Sequence, residues 1–145
     1  IQRYMNKISG PLLDRIDIQC EITPVPFKDI SKAAQGEPSA EIRKRVIRAR
    51  EIQAARFSGQ KGIHCNAQMS ERMIHQYAEP DEAGISMLRM AMERLSLSAR
   101  AYNRILKVAR TIADLEGCEH VESHHLAEAI GYRTLDRGDW AERGI

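Results

Sequence analysis

The segment SARAYNRILKVARTIADLEG, from Ser98 to Gly117, decides the fold of the second half of this chain. At about 100° per residue, its main apolar side chains share one face of a helix. These side chains are Tyr102, Ile105, Leu106, Ala109, Ile112 and Ala113. Ser98 is a favourable N-cap, and Gly117 is a favourable residue for ending a helix. The segment therefore predicts a long amphipathic helix, up to about Glu116, with its apolar face in a core.

Three shorter segments on either side of this one show helical patterns of their own. They are residues 71–78 with Ser70 as N-cap, the Met-rich residues 81–95, and a last helix with Ser123 as N-cap that stops near Gly131. Amphipathic helices with short connections can bury a common core. We therefore predict a mainly α fold with a helical bundle over 68–137 and a frayed tail over 138–145.

An alternating pattern near the N-terminus predicts a β-strand. Its apolar positions are Ile16, Ile18, Cys20 and Ile22, and its polar positions are Asp17, Gln19 and Glu21. A period of two over 16–22 is typical of a half-buried strand. Because a strand needs partners in a sheet, we expect residues 1–38 to be the end of a larger core whose other strands lie upstream of Ile1.

Residues 39–67 predict a basic helix followed by a loop. Ser39 is a plausible N-cap for a helix over 40–57, whose first half carries the cations Arg43, Lys44, Arg45 and Arg48. Such cations can neutralise the phosphates of a DNA backbone, and an ordinary solvated helix surface explains them equally well. No aromatic residues lie between the cations, which argues against a base-stacking surface for single strands.

Composition narrows the class of protein. The net charge of +2 over 145 residues gives no strong overall attraction to nucleic acid, so any basic patch is local. The cysteines Cys20, Cys65 and Cys118 are odd in number and far apart, a pattern that favours reduced thiols in a cytoplasmic protein. No apolar run approaches the roughly 20 residues of a membrane helix, so we expect no membrane partner.

Cations also cluster on the long helix, on the face away from its apolar side chains. These cations are Arg100, Arg104 and Lys107. Arg100 lies in the first helical turn, where the helix dipole disfavours a positive charge. A cation is useful at that position if a phosphate binds there, because a helix N-terminus and a guanidinium both favour anions. The alternative is a solvated basic surface.

Arg15 is a second candidate for contact with phosphate. It lies between the Ser9-Gly10-Pro11 turn and the start of the predicted strand, and therefore at the edge of any sheet that the strand joins. A guanidinium fixed there could reach a transferring phosphate in a neighbouring subunit. The alternative is a surface ion pair with Asp14 or Asp17.

A compact group near the C-terminus contains residues that can bind zinc. The group consists of Cys118, His120, His124 and His125. Its spacing matches no recognised zinc module, and histidines beside a helix start are usually surface residues. We therefore predict no metal site.

Two of these segments resemble known motifs. SGPLLDRIDI, residues 9–18, resembles the arginine-finger segment of AAA+ ATPases in the branch that contains magnesium chelatase and the minichromosome-maintenance helicases. Residues 98–115 are similar to the sensor-2 helix of that branch. Between them lies the pattern Arg50…Gln53…Arg56-Phe57…Asn66-Ala67. From Ile1 to about Arg137, the chain most closely resembles the magnesium-chelatase-like ComM/YifB family of bacteria.

The resemblance implies a role for each motif. It implies that Arg15 is an arginine finger that acts in trans on the ATP of a neighbouring subunit. It implies that Arg100 is a sensor-2 arginine that acts in cis from a helical lid. It also implies ATP and Mg²⁺ as cofactors of the full-length protein, a homo-oligomeric ring, expected to be a hexamer, and DNA as the partner that ATP hydrolysis moves during DNA uptake or recombination.

The chain departs from a complete member of that family. It contains no Gly-x-x-x-x-Gly-Lys-Ser/Thr loop for phosphates, and no apolar strand that ends in Asp-Glu to hold magnesium. We therefore expect both elements upstream of Ile1, and neither ATP hydrolysis nor a bound cofactor in this chain alone. Two other functions stay open: a chelatase-type motor subunit for magnesium insertion, and a non-enzymatic helical module that binds DNA or a protein.

Overall fold

A computed structural model describes residues 9–20, 22, 24–25, 36–95 and 97–133. Its helices in chain order are α1 (Gly10–Leu13), α2 (Ser39–Arg56), α3 (Glu71–Tyr77), α4 (Glu82–Arg94), α5 (Ala99–Glu116) and α6 (Ser123–Gly131), with a 3-10 turn at Asn66–Gln68 between α2 and α3. The prediction of a mainly α fold with a helical bundle is confirmed. The described ranges contain no β-strand.

Most helix ends lie where the sequence places them. The side chains of Ser70, Asp81 and Ser98 accept hydrogen bonds from backbone amides in the first turns of α3, α4 and α5. Gly117 ends α5 with a φ of 80°, in the left-handed region that glycine adopts without strain. The predicted signals at Ser70, Ser98 and Gly117 are therefore confirmed, whereas Asp81, placed inside the helix predicted over 81–95, is its N-cap.

Two predicted N-caps are wrong by one residue. Helix α2 begins at Ser39 itself, and Pro38 takes the N-cap position. Helix α6 begins at Ser123, and its N-cap is Glu122, whose backbone amide donates to Nδ1 of His125 at 2.9 Å. A histidine three residues after the cap thus replaces the Glu or Gln of a typical capping box.

Helix α5 lies at the centre of the bundle and packs against α2, α3, α6 and the 3-10 turn. Its buried apolar residues are Ala101, Ile105, Leu106, Ala109, Ile112 and Ala113. Phe57 joins the same core from the end of α2, and Met69 joins it from the end of the 3-10 turn. Leu88, Val121 and Leu126 join it from α4, the α5–α6 turn and α6. The predicted core face of α5 is confirmed, with Tyr102 only half-buried.

The strand predicted over 16–22 is wrong for the described residues of that segment. Ile18 is 52% exposed and Ile22 is 92% exposed, so neither lies on a buried sheet face. The physical reason is that the described ranges offer no strand with which this segment could pair. The amide of Gln19 instead donates to the carbonyl of Tyr132 at 2.9 Å, after the end of α6.

Some predictions fall outside the described residues. They concern residues 1–8, 21, 23 and 26–35 of the segment predicted to end a larger core, residues 96 and 134–137 of the predicted bundle, and the tail over 138–145. Within the described part of the chain, no helix is both long enough and apolar enough to cross a membrane.

Candidate functional site

The start of α5 presents cations beside residues 14–19, which we call the finger segment. Arg100 is exposed in the first turn of α5. A cavity of about 250 Å³ opens at this point, and it is lined by Asp17, Ala67, Arg100, Asn103, Arg104 and Lys107. Residues three and four apart share one face of a helix, so the predicted cluster of cations forms one wall of this cavity.

The cations of this wall differ in what they contact. Arg104 forms an ion pair with Asp17 of the finger segment, and Nζ of Lys107 donates to the carbonyl of Ala67 at 2.9 Å. Burial lowers the pKa of Lys107, and the nearby charge of Arg104 lowers it further. The side chain of Arg100 has no hydrogen bond or ion pair with the residues that the structure describes. The charge of Arg100 is therefore not neutralised by any carboxylate of the described residues.

Arg15 follows α1 and is exposed. Its Nη1 donates to the carbonyl of Pro11 at 3.0 Å. Neither of the ion pairs that would make it an ordinary surface residue forms among the described residues: Asp17 pairs with Arg104, and the carboxylate of Asp14 lies 4.0 Å from Arg133. Within the described part of the chain, the exposed guanidinium of Arg15 is therefore not neutralised.

The basic half of α2 is exposed along its whole length, from Ser39 to Arg48. Two of its candidate cations are paired with carboxylates close to the start of the helix: Lys44 binds Glu41 at 2.7 Å, and Arg45 makes a bidentate contact with Glu37. Within the described structure, Arg43 and Arg48 have no such partner. The four cations are therefore not equivalent as contacts for phosphate.

A buried polar network joins the other end of α2 to α5. Asp114 is fully buried and accepts hydrogen bonds from Arg56 at 2.8 and 2.5 Å. Asp114 also accepts a hydrogen bond from the side-chain Nδ2 of Asn66 at 2.8 Å. The backbone amide of Asn66 donates to Oε1 of Gln53 at 3.1 Å. Gln53, Arg56 and Asn66 belong to the sequence pattern between the two motifs, so this pattern builds the fold.

Arg110 completes the network from one helical turn before Asp114. Its Nε donates to Asp114 at 3.1 Å, and its terminal nitrogens donate to the carbonyls of Cys118 and Glu119 at 2.6 and 2.7 Å. Burial lowers the pKa of Arg110, and the carboxylate of Asp114 opposes that shift. Arg110 thus fixes the turn between α5 and α6.

Arg133, directly after α6, was missed by the sequence reasoning. It is 1% exposed. Its Nη1 donates to the carbonyl of Ile16 at 2.8 Å and its Nη2 to the carbonyl of Asp14 at 3.5 Å. Because it lies outside the periodic helical pattern, periodicity gives no signal for it. It holds the finger segment against the bundle.

The histidine group adopts an arrangement that disfavours metal binding. Nε2 of His124 and Nε2 of His125 lie 2.9 and 3.0 Å from the same carboxylate oxygen of Glu116. Because Nδ1 of His125 accepts a backbone amide, neutral His125 carries its proton on Nε2 and has no lone pair there for a metal. The Glu116 contact raises the pKa of His124 and lowers that of Glu116. The group ties the end of α5 to the start of α6.

Two families match different parts of the chain. Residues 36–133 match the family described as "Magnesium chelatase, subunit ChlI C-terminal", and residues 1–30 match the family described as "Magnesium chelatase, subunit ChlI". The basic helix and the bundle therefore lie in the first match, and the finger segment lies in the second.

Curated relatives match over almost the whole chain. Competence protein ComM of Haemophilus influenzae is 41% identical over 138 residues, which are 94% of this chain and 26% of that protein. The uncharacterised protein YifB of Salmonella typhimurium is 43% identical over 136 residues, 93% of this chain and 26% of that protein. The chain spans about a quarter of the length of these relatives.

Proposed function

The chain belongs to the magnesium-chelatase-like ComM/YifB family, and we propose that it supplies the arginine finger and the helical lid of a ring-forming AAA+ ATPase. One observation carries this proposal. The two arginines at the motif positions, Arg15 and Arg100, are exposed and form no ion pair within the described structure, although Asp14 and Asp17 lie close to Arg15 in the sequence. Guanidinium groups held in this way suit the charge of a transferring phosphate.

The two arginines take different roles in this proposal. Arg15 acts in trans, because it is held on an exposed segment from which it can reach the γ-phosphate bound by a neighbouring subunit. Arg100 acts in cis, because it begins the central helix of the lid and covers the nucleotide of its own subunit. ATP and Mg²⁺ bind through a phosphate loop and an acidic pair in the remainder of the full-length protein, which assembles as a hexameric ring.

We further propose that the motor acts on DNA in the cytoplasm, during DNA uptake or recombination. Two observations support this step: the relative named as a competence protein, and the exposed cations of α2. Arg43 and Arg48 carry the contact, because their charges are not neutralised by neighbouring carboxylates in the described structure. A chelatase-type motor is the second candidate, and the names of the matched families favour it.

The experiment that separates these functions uses the full-length protein with ATP and Mg²⁺. A DNA motor should move the branch point of a fluorescent four-way DNA junction when ATP is present, and should not do so with a non-hydrolysable analogue. A chelatase motor should instead support insertion of Mg²⁺ into a porphyrin when its partner subunits are supplied. Absence of ATP hydrolysis under both conditions would favour the non-enzymatic helical module.

A further inference from the structure

The finger segment is fastened to the helical lid at several points. Arg133, after α6, donates to backbone carbonyls of the segment, Arg104 of α5 pairs with Asp17, and Tyr132 accepts from the amide of Gln19. The residue at the centre of these contacts is Arg15, which none of them touches directly. They therefore act on the position of Arg15 and leave its guanidinium exposed.

Arg133 makes the contact closest to Arg15. Its two terminal nitrogens donate to the carbonyls of Asp14 and Ile16, which are the residues on either side of Arg15. A guanidinium is planar, and its donors form a rigid fork. One buried side chain therefore restricts the backbone on both sides of Arg15, and with it the direction in which the Arg15 side chain leaves the chain.

The ion pair between Arg104 and Asp17 connects the finger segment to α5, close to the proposed nucleotide contact at Arg100. Arg104 lies one helical turn after Arg100, about 6 Å along α5. A movement of α5 that follows contact between Arg100 and a nucleotide would therefore also move Asp17 and the rest of the finger segment. The lid connects the two arginines as a single packed unit.

We propose that Arg133 is a positioning residue that aims Arg15 at the neighbouring subunit, so that the lid of one subunit sets the rate of hydrolysis in the next. This inference rests on the proposed function, because it requires that Arg15 act in trans. Arg133 has no contact with nucleotide in this account. Its loss should therefore lower kcat at the neighbouring site and leave KM for ATP unchanged.

The test uses mixed rings of the full-length protein. One subunit type carries Arg15→Ala and an intact phosphate loop, so it can hydrolyse ATP only with a finger from its neighbour. The other type carries intact Arg15 and a disabled phosphate loop, so it contributes only its finger. We expect the reference mixture to hydrolyse ATP. Adding Arg133→Met to the finger-donating type should lower the turnover about 10²-fold, since a small displacement of a reacting group can cost that much.

Arg110→Met in the finger-donating type is the matched control. Arg110 is also a buried arginine that donates to backbone carbonyls, and its contacts among the described residues do not include the finger segment. We expect Arg110→Met to lower the melting temperature of the chain and to keep the rescue at temperatures where it is folded. We expect Arg133→Lys to restore part of the rescue, because it retains a donor for one carbonyl.

Each outcome has a distinct meaning. A full rescue by the Arg133→Met subunit would overturn the positioning role. A loss of rescue that follows the decrease in melting temperature in both Arg133→Met and Arg110→Met would also overturn it. The effect of Arg133→Met would then be explained by lower stability. Failure of the reference mixture itself would instead contradict the action of Arg15 in trans, and with it the proposed function on which this inference depends.

Discussion

Helix α2 carries an arginine–carboxylate pair near each end, and the two pairs lie in opposite surroundings. The side chains of Arg45 and Glu37 are 46% and 43% exposed, while those of Arg56 and Asp114 are 12% and 0% exposed. Exposed pairs contribute little to stability because water screens them. Breaking a buried pair leaves a charge without compensation and is strongly destabilising. An arginine–carboxylate pair is therefore structurally important at the buried end of α2 and contributes little to stability at the exposed end.

This contrast extends to the other arginines. Arg56, Arg110 and Arg133 are buried or nearly so, and each of them joins separate parts of the chain through hydrogen bonds to a carboxylate or to carbonyls. Arg15 and Arg100 are exposed and remain without an ion pair in the described regions. Burial therefore separates the arginines that join parts of the lid from the two motif arginines, whose guanidinium groups face solvent.

The largest expected effect concerns Arg15. In the full-length protein, Arg15→Ala should lower ATP turnover by about 10³–10⁵, because a finger stabilises charge that develops in the transition state. Nucleotide binding should stay nearly intact, as measured by titration with a fluorescent ATP analogue. Arg94→Ala, at an exposed arginine of α4, is the control and should keep normal turnover. Normal turnover in Arg15→Ala would show that Arg15 is an ordinary surface residue.

The next effect is on stability and concerns Asp114. Asp114→Asn removes the carboxylate from between the guanidinium groups of Arg56 and Arg110. We expect it to lower the free energy of unfolding of this chain by about 3–5 kcal/mol, the usual cost of breaking a buried ion pair. Glu37→Gln, which breaks the exposed pair at the other end of α2, should leave urea denaturation unchanged. Equal effects of both substitutions would remove the contrast between the two ends.

Arg100→Ala should have a smaller effect than Arg15→Ala. Loss of a hydrogen bond from a charged group costs about 1.5–3 kcal/mol, so we expect nucleotide affinity or turnover to fall by about 10- to 100-fold. If Arg100 acts in cis as proposed, mixing with subunits that contain an intact Arg100 should not restore the activity of the altered sites. Rescue by mixing would place Arg100 at the interface between subunits.

The cations of α2 provide a comparison within one surface. If this helix follows a DNA backbone, replacing Arg43, Lys44, Arg45 and Arg48 with Gln should flatten the salt dependence of DNA binding by the full-length protein. Each phosphate contact contributes about 0.9 to the log–log slope on duplex DNA. The pair Arg43 and Arg48 should account for more of the change than Lys44 and Arg45, whose charges are already paired. Identical slopes in a salt titration with ATP would mean that these cations only solvate the helix.

The smallest effect is the pH dependence of the contact between His124 and Glu116. The contact raises the pKa of His124 above its ordinary value of 6.5, so its stabilising contribution is present below that pH and is lost as the pH rises through the folded value. The lowered pKa of Glu116 makes its contribution present above 4.5 and lost at lower pH. Glu116→Gln should therefore lower the melting temperature more at pH 5.5 than at pH 8.5. An equal decrease in melting temperature at pH 5.5 and at pH 8.5 would show that the contact between His124 and Glu116 does not depend on charge.

The helical period and the caps predict most of the bundle, because local patterns such as Ser98 to Gly117 decide where helices begin and end. They do not predict the buried network. Asp114 lies nine residues after Ile105, about 180° around α5, and periodicity places it on the solvated face. It is buried because α2 and the 3-10 turn cover that face. The hydrophobic period of one helix cannot predict such a contact between segments that are distant in the sequence.

The prediction of a strand over 16–22 was wrong for a related reason. Its alternation is real, but a strand requires a partner, and the described residues provide none. The segment instead takes its position from Arg133, more than one hundred residues later in the sequence. The motif at Arg15 could be predicted from its residues and from the family resemblance, whereas the side chain that holds it could be found only in the fold.

The central claim is that the exposed arginines at the two motif positions, Arg15 and Arg100, act on phosphate as proposed, while buried arginines hold the lid together. Its most direct test measures two quantities, the melting temperature of this chain and the ATP turnover of the full-length protein, for Arg15→Ala and for Arg110→Met. We predict that Arg15→Ala leaves the melting temperature unchanged and abolishes turnover, and that Arg110→Met lowers the melting temperature and retains turnover at temperatures where the protein is folded. Loss of turnover that follows the loss of melting temperature in both variants would contradict the claim.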